Sequence, residues 1–550
     1  MLKSIFLFVF LAIGLGAYAQ PDATVTTGKP YPYLGASGSY FKKNNMIVAV
    51  KWFDKSIVLQ RLNASTLTQE GALQYNDFPK DHEIERIVKI GEEVYVLYSV
   101  VRKPLTSLFV RKIDIARGEF VDAGQKIAEI SDEVADDICA SDTWEFSEHG
   151  RFRFYFSSDS AKFAICYRIK SKSLNSADSY EQNGVWVYDN TLTEKWHGNI
   201  MMPYSERKID IQKRTIDSKA NFHFLITKFN DDSTLKKKDG MPNYSLEVIS
   251  YASPGEPIIT SLDLKDKFIQ NAVFNKYDGK VMCSGYYNNG KNPGGSKIAM
   301  FGSKIGEESV AGIFTVTLNG DGTHLPVVMH NIPLEVINEG ESKSTQEKNI
   351  KKNEKEAIEF PMLSLLRTIV TTDGSLIIIG EKQYYITSQQ GPQSFNYDDG
   401  LIAKILPNGQ LAWIKKLRKE QTGRSSYRGK SYMYLGSSGD NYNFLFVDSK
   451  DNIQAGPDES LKSYNDAHSG NGVLVLWQIN YKTGDITKKA LVAMKNANGL
   501  HLYEFGLYRV IRLDERSFIF EAELRTVDRS VSSTGQEIKQ EVLVKVEMEN

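Results

Sequence analysis

The feature that most constrains this chain is a unit that returns seven times: an apolar-polar strand, a break rich in Asn, Gly, Asp or Pro, and a shorter, more polar return strand. Copies run from Ser56 to Gly71 around Asn63, Ser107 to Gly124 around Ala116-Arg117-Gly118, Gly184 to His197 around Asp189-Asn190, and Ser245 to Thr260 around Pro254-Gly255. Three more turn at Asn319-Gly320-Asp321-Gly322 (Gly312 to Val327), Pro407-Asn408-Gly409 (Gly400 to Lys415) and Thr483-Gly484-Asp485 (Gly472 to Lys488). The polar return strand suits a sheet edge that faces water and must resist pairing with another molecule. Two further strand-like runs precede each copy, as in Ser431 to Leu435 and Tyr442 to Val447. Four strands per unit is the count of a propeller blade.

Near the C-terminus, Leu507 to Leu513, Arg516 to Leu524 and Gln540 to Met548 supply the first three strands of an eighth unit, with no return strand after them. The extended, β-prone segment Asp22 to Thr27 can supply the fourth and hide both open sheet edges. The expected fold is therefore all-β: a single large β-propeller of eight blades closed by an N-terminal strand, with seven blades or two smaller β domains as alternatives. Short β-branched and aromatic runs such as Met46 to Val50, Val94 to Tyr98 and Leu376 to Ile379 agree with it and argue against alternating helices.

Lys3, the apolar run Ile5 to Gly16 and the small-x-small site Ala17-Tyr18-Ala19 before Gln20 read as a signal peptide, 1–19. The propeller domain is then 20–550. No later run approaches the roughly 18 apolar residues of a membrane-spanning helix, so the mature chain is expected to lack one. Blade spacing varies because polar segments lengthen: Lys170 to Asn183, Asp231 to Asn243, Val336 to Phe360, Gln389 to Asp399 and Asp448 to Gly470. Insertions in repeat folds gather on one face, often the binding face. The charged stretch 336–360 is read as an insertion inside the domain, loop-like at Gly340 to Ser344, where Lys351 to Ile358 can form a short charged helix.

The search for chemistry yields no catalytic set, so catalytic residues are left unknown. With 67 Lys and Arg against 68 Asp and Glu, the formal charge is −1, and the densest charged run, Lys351 to Glu356, mixes both signs. No nucleic-acid partner is expected. The eight histidines form no close metal-binding pair, and His223, alternating with Phe222 and Phe224, reads as structural. Of the three cysteines, Cys166 and Cys283 lie in apolar strand-like runs and read as buried thiols, leaving Cys139. No metal or cofactor is expected; calcium at Asn319 to Gly322, or at Asp448, Asp451 and Asn452, is weighed against ordinary turn chemistry. Asp132, Asp136 and Asp137 read as a solvated acidic cluster. Gly290, Gly294 and Gly295 form turn composition without a phosphate-loop continuation. Tyr31, Tyr33 and Tyr40, with Tyr427, Tyr432 and Tyr434, are read mainly as packing residues, some able to stack on a sugar or peptide.

The terminus Ala17-Tyr18-Ala19-Gln20 and copies such as Leu406-Pro407-Asn408-Gly409-Gln410-Leu411-Ala412-Trp413 resemble exported repeat propellers of the Bacteroidetes. The Asn-Gly-x-Leu-x-Trp unit is similar to the outer hairpin of quinoprotein-like and WD-like arrays, but neither a regular tryptophan motif nor a recurrent Trp-Asp ending is present. The resemblance implies architecture and carries no catalytic residue. With no obvious C-terminal sandwich domain resembling a sorting signal, a periplasmic or outer-membrane-associated location is expected over free release. The leading expectation is a non-enzymatic propeller that binds an envelope protein or glycan; the rival is a carbohydrate-active hydrolase or lyase with two convergent carboxylates, or an acid and a His or Tyr base, at the central channel.

Overall fold

The computed structural model describes residues 23–53, 56–135, 151–170, 179–290, 304–306, 308–388, 391–423, 431–456, 459–465, 471–502, 504–528 and 536–548. The expected signal peptide, 1–19, lies outside them, as do Cys139, Asp136, Asp137, Gly294, Gly295 and Tyr427.

Eight antiparallel sheets follow one another along the chain as the blades of a β-propeller: 36–75, 82–130, 152–205, 209–262, 268–331, 363–417, 433–493, and 504–548 with 23–27. All seven hairpins read from the sequence join the third and fourth strands of their blades. The eighth blade draws its fourth strand from the other end of the chain. Ala23–Thr27 pairs with Gln536–Met548 in the register Ala23↔Met548 to Thr27↔Val544.

Alternation along each strand sends apolar side chains to both sheet faces, so each blade can bury one face against the blade before it and one against the blade after. Eight apolar clusters result, one at each interface around the ring. Cys166 and Cys283 are both buried, in the interfaces of blades 3 with 4 and 4 with 5. First strands of neighbouring blades touch, as those of blades 3 and 4, 4 and 5, 5 and 6, 7 and 8, and 8 and 1 do, which places them around the axis.

The antiparallel order also fixes where the connections go. Turns between strands 1–2 and 3–4 lie at one end of each blade; connections between strands 2–3 and between blades lie at the other. The polar insertions all belong to the second set. Contacts between the two kinds of connection confirm the shared face: Val134 bridges Ile169, Val310 bridges Phe360, and Gln421 pairs in parallel with Tyr464. We call this the loop face and its opposite the turn face.

Two insertions differ from the sequence reading. Most of Gln389 to Asp399, expected as a loop, continues the sheet, for blade 6 has a long hairpin of Leu376–Ser388 and Gly391–Ile405. Its alternating Phe395, Tyr397 and Leu401 suit a strand whose partner extends equally far. The charged insertion holds two helices, α1 (Leu334–Asn338) and α2 (Lys343–Asn353), so the helix starts earlier than Lys351. Ser342 decides this: its hydroxyl accepts from the Thr345 amide at 3.3 Å and caps α2, while Lys351 and Lys352 sit favourably in its last turn.

Candidate functional site

Val336 and Ile337 of α1 are buried in the core between blades 5 and 6, whereas α2 buries no residue. The helix pair therefore stands on the loop face as a cap anchored through its first helix. Between the cap and blade 6 lies a cleft of about 310 Å³, lined by Thr345, Asn349 and Lys352 of α2 and by Glu341, Glu359, Phe360, Lys382, Asp399 and Lys416. Its size is at the lower end of ligand pockets.

The acids of this cleft are already occupied by internal donors. Lys416 Nζ lies 3.2 Å from Asp399 and 3.4 Å from Glu341, and donates to the Glu339 carbonyl at 2.8 Å. Glu359 accepts from the Asn289 amide at 2.9 Å and from the Ser309 hydroxyl. Behind the cleft, buried Glu381 is held by Lys419 at 2.6 Å, Gln383 at 2.6 Å and Ser431 at 2.8 Å. Burial pushes the neighbouring Asp398 carboxyl upward, opposed by Lys382 at 3.6 Å.

The second candidate region is the channel wall. A β-bulge interrupts the pairing of first and second strands at the same place in blades 1, 2, 4, 5, 6 and 7, and a wider irregularity does so in blade 8. Bulges re-aim side chains. Here the residue that resumes pairing in blades 2, 4 and 6 is Arg86, Lys213 or Arg367, and in blade 8 Arg509 immediately precedes it. Ser39, Asn271 and Gly436 take that place in blades 1, 5 and 7. Every second blade thus carries a cation at or next to the residue that follows its bulge.

The eight first strands together carry eleven Lys and Arg against four Asp and Glu, in a chain whose formal charge is −1. One of the four acids is itself weakened: burial raises Glu85 to about 7, although the Ser99 hydroxyl donates to it at 2.6 Å. Arg86 donates to the Phe154 carbonyl at 3.2 Å with its guanidinium 6.0 Å from that ring's centre, and Arg367 is exposed. Arg509 is different, turned into the interface of blades 8 and 1 against Glu541 (3.2 Å) and Glu521 (3.5 Å).

At the turn face, side chains stitch separate blades together. Lys276 of blade 5 donates to the carbonyls of Phe156 (2.5 Å) and Ile216 (3.1 Å), and burial lowers its pKa to about 8. Tyr277 reaches the Thr372 carbonyl at 2.9 Å, and Arg512 reaches that of Ser437 at 2.7 Å.

The remaining sequence-marked residues are spread apart. His223 is buried between Ser250 Oγ (2.8 Å) and Asp217 (3.3 Å), bracing a turn. Asp321 accepts from the Thr323 amide and hydroxyl, with Gly320 and Gly322 at positive φ, which is hairpin-turn chemistry. Asp448 accepts from the Asn452 amide at 2.7 Å. Among the described residues, no group of three or more His, Cys, Asp or Glu is arranged to hold a metal. Asp132 bonds Asn199 at 3.0 Å. Tyr31 and Tyr40 donate to Glu521, and Tyr432 and Tyr434 pack on Phe444.

The sequence reading missed the alternating cations, although they carry a signal. Ile84-Glu85-Arg86, Ile211-Gln212-Lys213, Ile269-Gln270-Asn271 and Leu365-Leu366-Arg367 share an apolar–bulge–polar triplet at the start of their blades. Aligning the units on their first strands instead of their outer hairpins exposes it.

No protein-family model matches the chain, and no curated protein matches it. Solved structures similar to it include a polysaccharide lyase, Uly1, at 10% identity and TM-score 0.38, covering 95% of this chain and 93% of that one. A prolyl endopeptidase matches at 9% identity and TM-score 0.36, covering 95% of this chain and 55% of its own, so this chain spans about half its length. A mutant apocarotenoid oxygenase of Synechocystis matches at 9% identity and TM-score 0.33, covering 69% and 71%. At such identities likeness concerns fold alone.

Proposed function

We propose that this chain is a non-enzymatic, exported β-propeller that binds a protein or glycan of the cell envelope through its loop face. One observation carries the reading: the polar insertions all emerge on that face, where α1, α2 and blade 6 frame a cleft. Rigid scaffolds commonly present recognition residues on such loops. The turn face, by contrast, is made of short turns and stitched by Lys276, Tyr277 and Arg512. The carboxylates Glu521 and Glu541, which approach the same lysine, have fully buried side chains, so this pair gives no support to a hydrolytic site. Among the described residues, no helix is long and apolar enough to cross a membrane.

The test is capture of envelope proteins together with a glycan array, comparing the full chain with a variant whose residues 343–353 are replaced by a flexible linker. Enrichment of a partner or glycan that weakens in the variant is expected. Failure to enrich anything above an unrelated propeller overturns the reading.

A further inference from the structure

We propose that a pocket between blade 5 and the helix pair holds the acetamido group of an N-acetylated sugar through the side-chain amides of Asn289, Asn331 and Asn353. The inference supplies a ligand class for the glycan branch of the reading above and rests on it.

The pocket measures about 220 Å³ and is lined by those three asparagines together with the apolar Ala311, Ile332 and Leu334. Ligand pockets commonly run from about 300 to 1,000 Å³, so this one admits a single ring or the end group of a longer chain. Its walls are tied to one another by hydrogen bonds. The Tyr287 carbonyl accepts from the Ala311 amide at 2.8 Å, and the Ala311 carbonyl accepts from the Ile332 amide at 2.9 Å. The backbone amide of Asn289 donates to Glu359 at 2.9 Å. Blade 5 and the segment that returns from α2 therefore meet at this pocket.

Each of the three amides has its oxygen committed and its NH2 group unclaimed. Asn289 Oδ1 accepts from Lys267 Nζ at 3.1 Å, Asn331 Oδ1 from the Tyr287 hydroxyl at 2.7 Å, and Asn353 Oδ1 from the Ile358 amide at 3.0 Å. A lysine ammonium and a backbone N–H only donate, which fixes the orientation of the Asn289 and Asn353 amides. Among the described residues no acceptor meets any of the three NH2 groups, and all three asparagines are exposed. The pocket thus sets donors beside apolar surface, and none of its lining residues is charged. A sugar hydroxyl placed among these donors leaves its own hydrogen without an acceptor. An acetyl group does not: its carbonyl only accepts, and its methyl suits Ala311, Ile332 and Leu334. An anion is disfavoured by nearby carboxylates, for Glu359 holds the Asn289 backbone amide and Glu308 accepts from the neighbouring Asn288 side chain at 2.8 Å. The exposed, polar asparagines suit the hydroxyls of an attached sugar ring better than the four-carbon stem of an acetylated lysine.

The experiment titrates the full chain with three ligands: a trimer of N-acetylglucosamine, the trimer of glucose that lacks its acetamido groups, and a peptide carrying acetyl-lysine. Binding of the N-acetylated trimer alone is expected, roughly 10-fold weaker in Asn331→Asp and in Asn353→Asp. Each substitution keeps the oxygen that accepts from Tyr287 or Ile358 and exchanges the NH2 donor for an acceptor. Thermal midpoints of both variants check that the fold is intact. No binding of the N-acetylated trimer, binding unchanged by both substitutions, equal binding of the glucose trimer, or binding of the peptide in place of the sugar overturns the acetamido pocket. If the glycan array or the protein capture succeeds while no N-acetylated sugar depends on Asn331 or Asn353, the loop-face reading stands and the acetamido pocket falls.

Discussion

The interface of blades 7 and 8 and the interface of blades 8 and 1 use opposite chemistry. The first buries nineteen hydrophobic residues, among them Leu474, Leu476, Phe518, Phe520, Val544 and Val546. The second buries only eight, and beside them a charged cluster in which Lys51 contacts Glu521 (3.2 Å) and Glu541, Arg509 contacts both carboxylates, and Tyr31 and Tyr40 donate to Glu521. Blade 8 joins blade 7 along continuous chain, so apolar contact suffices to dock it. Blade 1 must find blade 8 across the whole sequence: Lys51 and Glu521 are 470 residues apart. A buried ionic network contributes little net stability over an apolar one, but it penalises wrong partners heavily, because each mismatch leaves a charge unpaired. The difference teaches that the closing interface sets a buried ionic network beside a smaller apolar core, an arrangement that would favour the correct partner over a wrong one.

The largest expected effect breaks that network directly. Lys51→Met removes the cation that both Glu521 and Glu541 contact and should cost about 3–5 kcal/mol where both carboxyls are ionised, read as a lower denaturant midpoint at alkaline pH. Leu476→Ala, in the interface of blades 7 and 8, should cost about 2–5 kcal/mol by creating a cavity. The two variants separate in their pH dependence. The cavity cost should be the same at pH 5 and pH 8, and the Lys51→Met cost should not. A pH-independent Lys51→Met would show that the closing interface is held by packing after all.

A smaller effect sharpens the same contrast. Burial, then the charge of Glu521, raises Glu541 to about 8, while Lys51 and Arg509 outweigh burial at Glu521 and hold it below the usual carboxylate range. A carboxyl whose folded pKa is raised contributes stability that is present below its unfolded pKa, about 4.3, and lost as pH rises through the folded value. Glu521 works the other way, its contribution present above the unfolded pKa and lost on acidification. Between pH 5 and 8 the closing interface should therefore weaken with rising pH through Glu541 alone. Glu541→Gln should flatten that slope, measured by thermal midpoints across the range; an unchanged slope would assign it elsewhere.

These two interfaces were unequally legible in the sequence. The seven outer hairpins announce themselves through turn residues such as Pro407-Asn408-Gly409, and Asp22 to Thr27 is recognisable as an extended, β-prone segment. Turn chemistry is local, so sequence carries it. The charged cluster is not local: Tyr31, Lys51, Arg509, Glu521 and Glu541 look like ordinary polar residues of separate strands, and only ring closure brings them together. The channel cations stayed hidden for another reason. A bulge is a slip in pairing register, and Arg86 or Arg367 gives no sign of it until a partner strand is in place. The cleft at α2 was half legible, as a charged insertion whose Ser342 cap was read as loop.

The smallest expected effect extends the contrast to Glu85, where burial outweighs the pull of the Ser99 hydroxyl, Arg151 and Arg153. Glu85 sits at the bulge of blade 2, in the position that Gln212 and Gln270 hold in blades 4 and 5. Those two are neutral amides, and Gln270 donates to the carbonyls of Glu308 and Leu363, both at 2.9 Å. Burial drives Glu85 toward the same neutral state, with a pKa of about 7 against which the Ser99 hydrogen bond works. Its contribution to stability, present below about 4.3, should fade as pH passes 7. Glu85→Gln should therefore be nearly neutral at pH 5 and more stable than the parent chain at pH 8, the reverse of what removing a paired carboxylate does. Combined with Glu541→Gln, the two slopes should add, since the groups belong to different blades and share no hydrogen-bond partner. Thermal midpoints of the double variant that fell short of additivity would mean that channel and closing interface titrate as one unit, and the division between them would have to be redrawn.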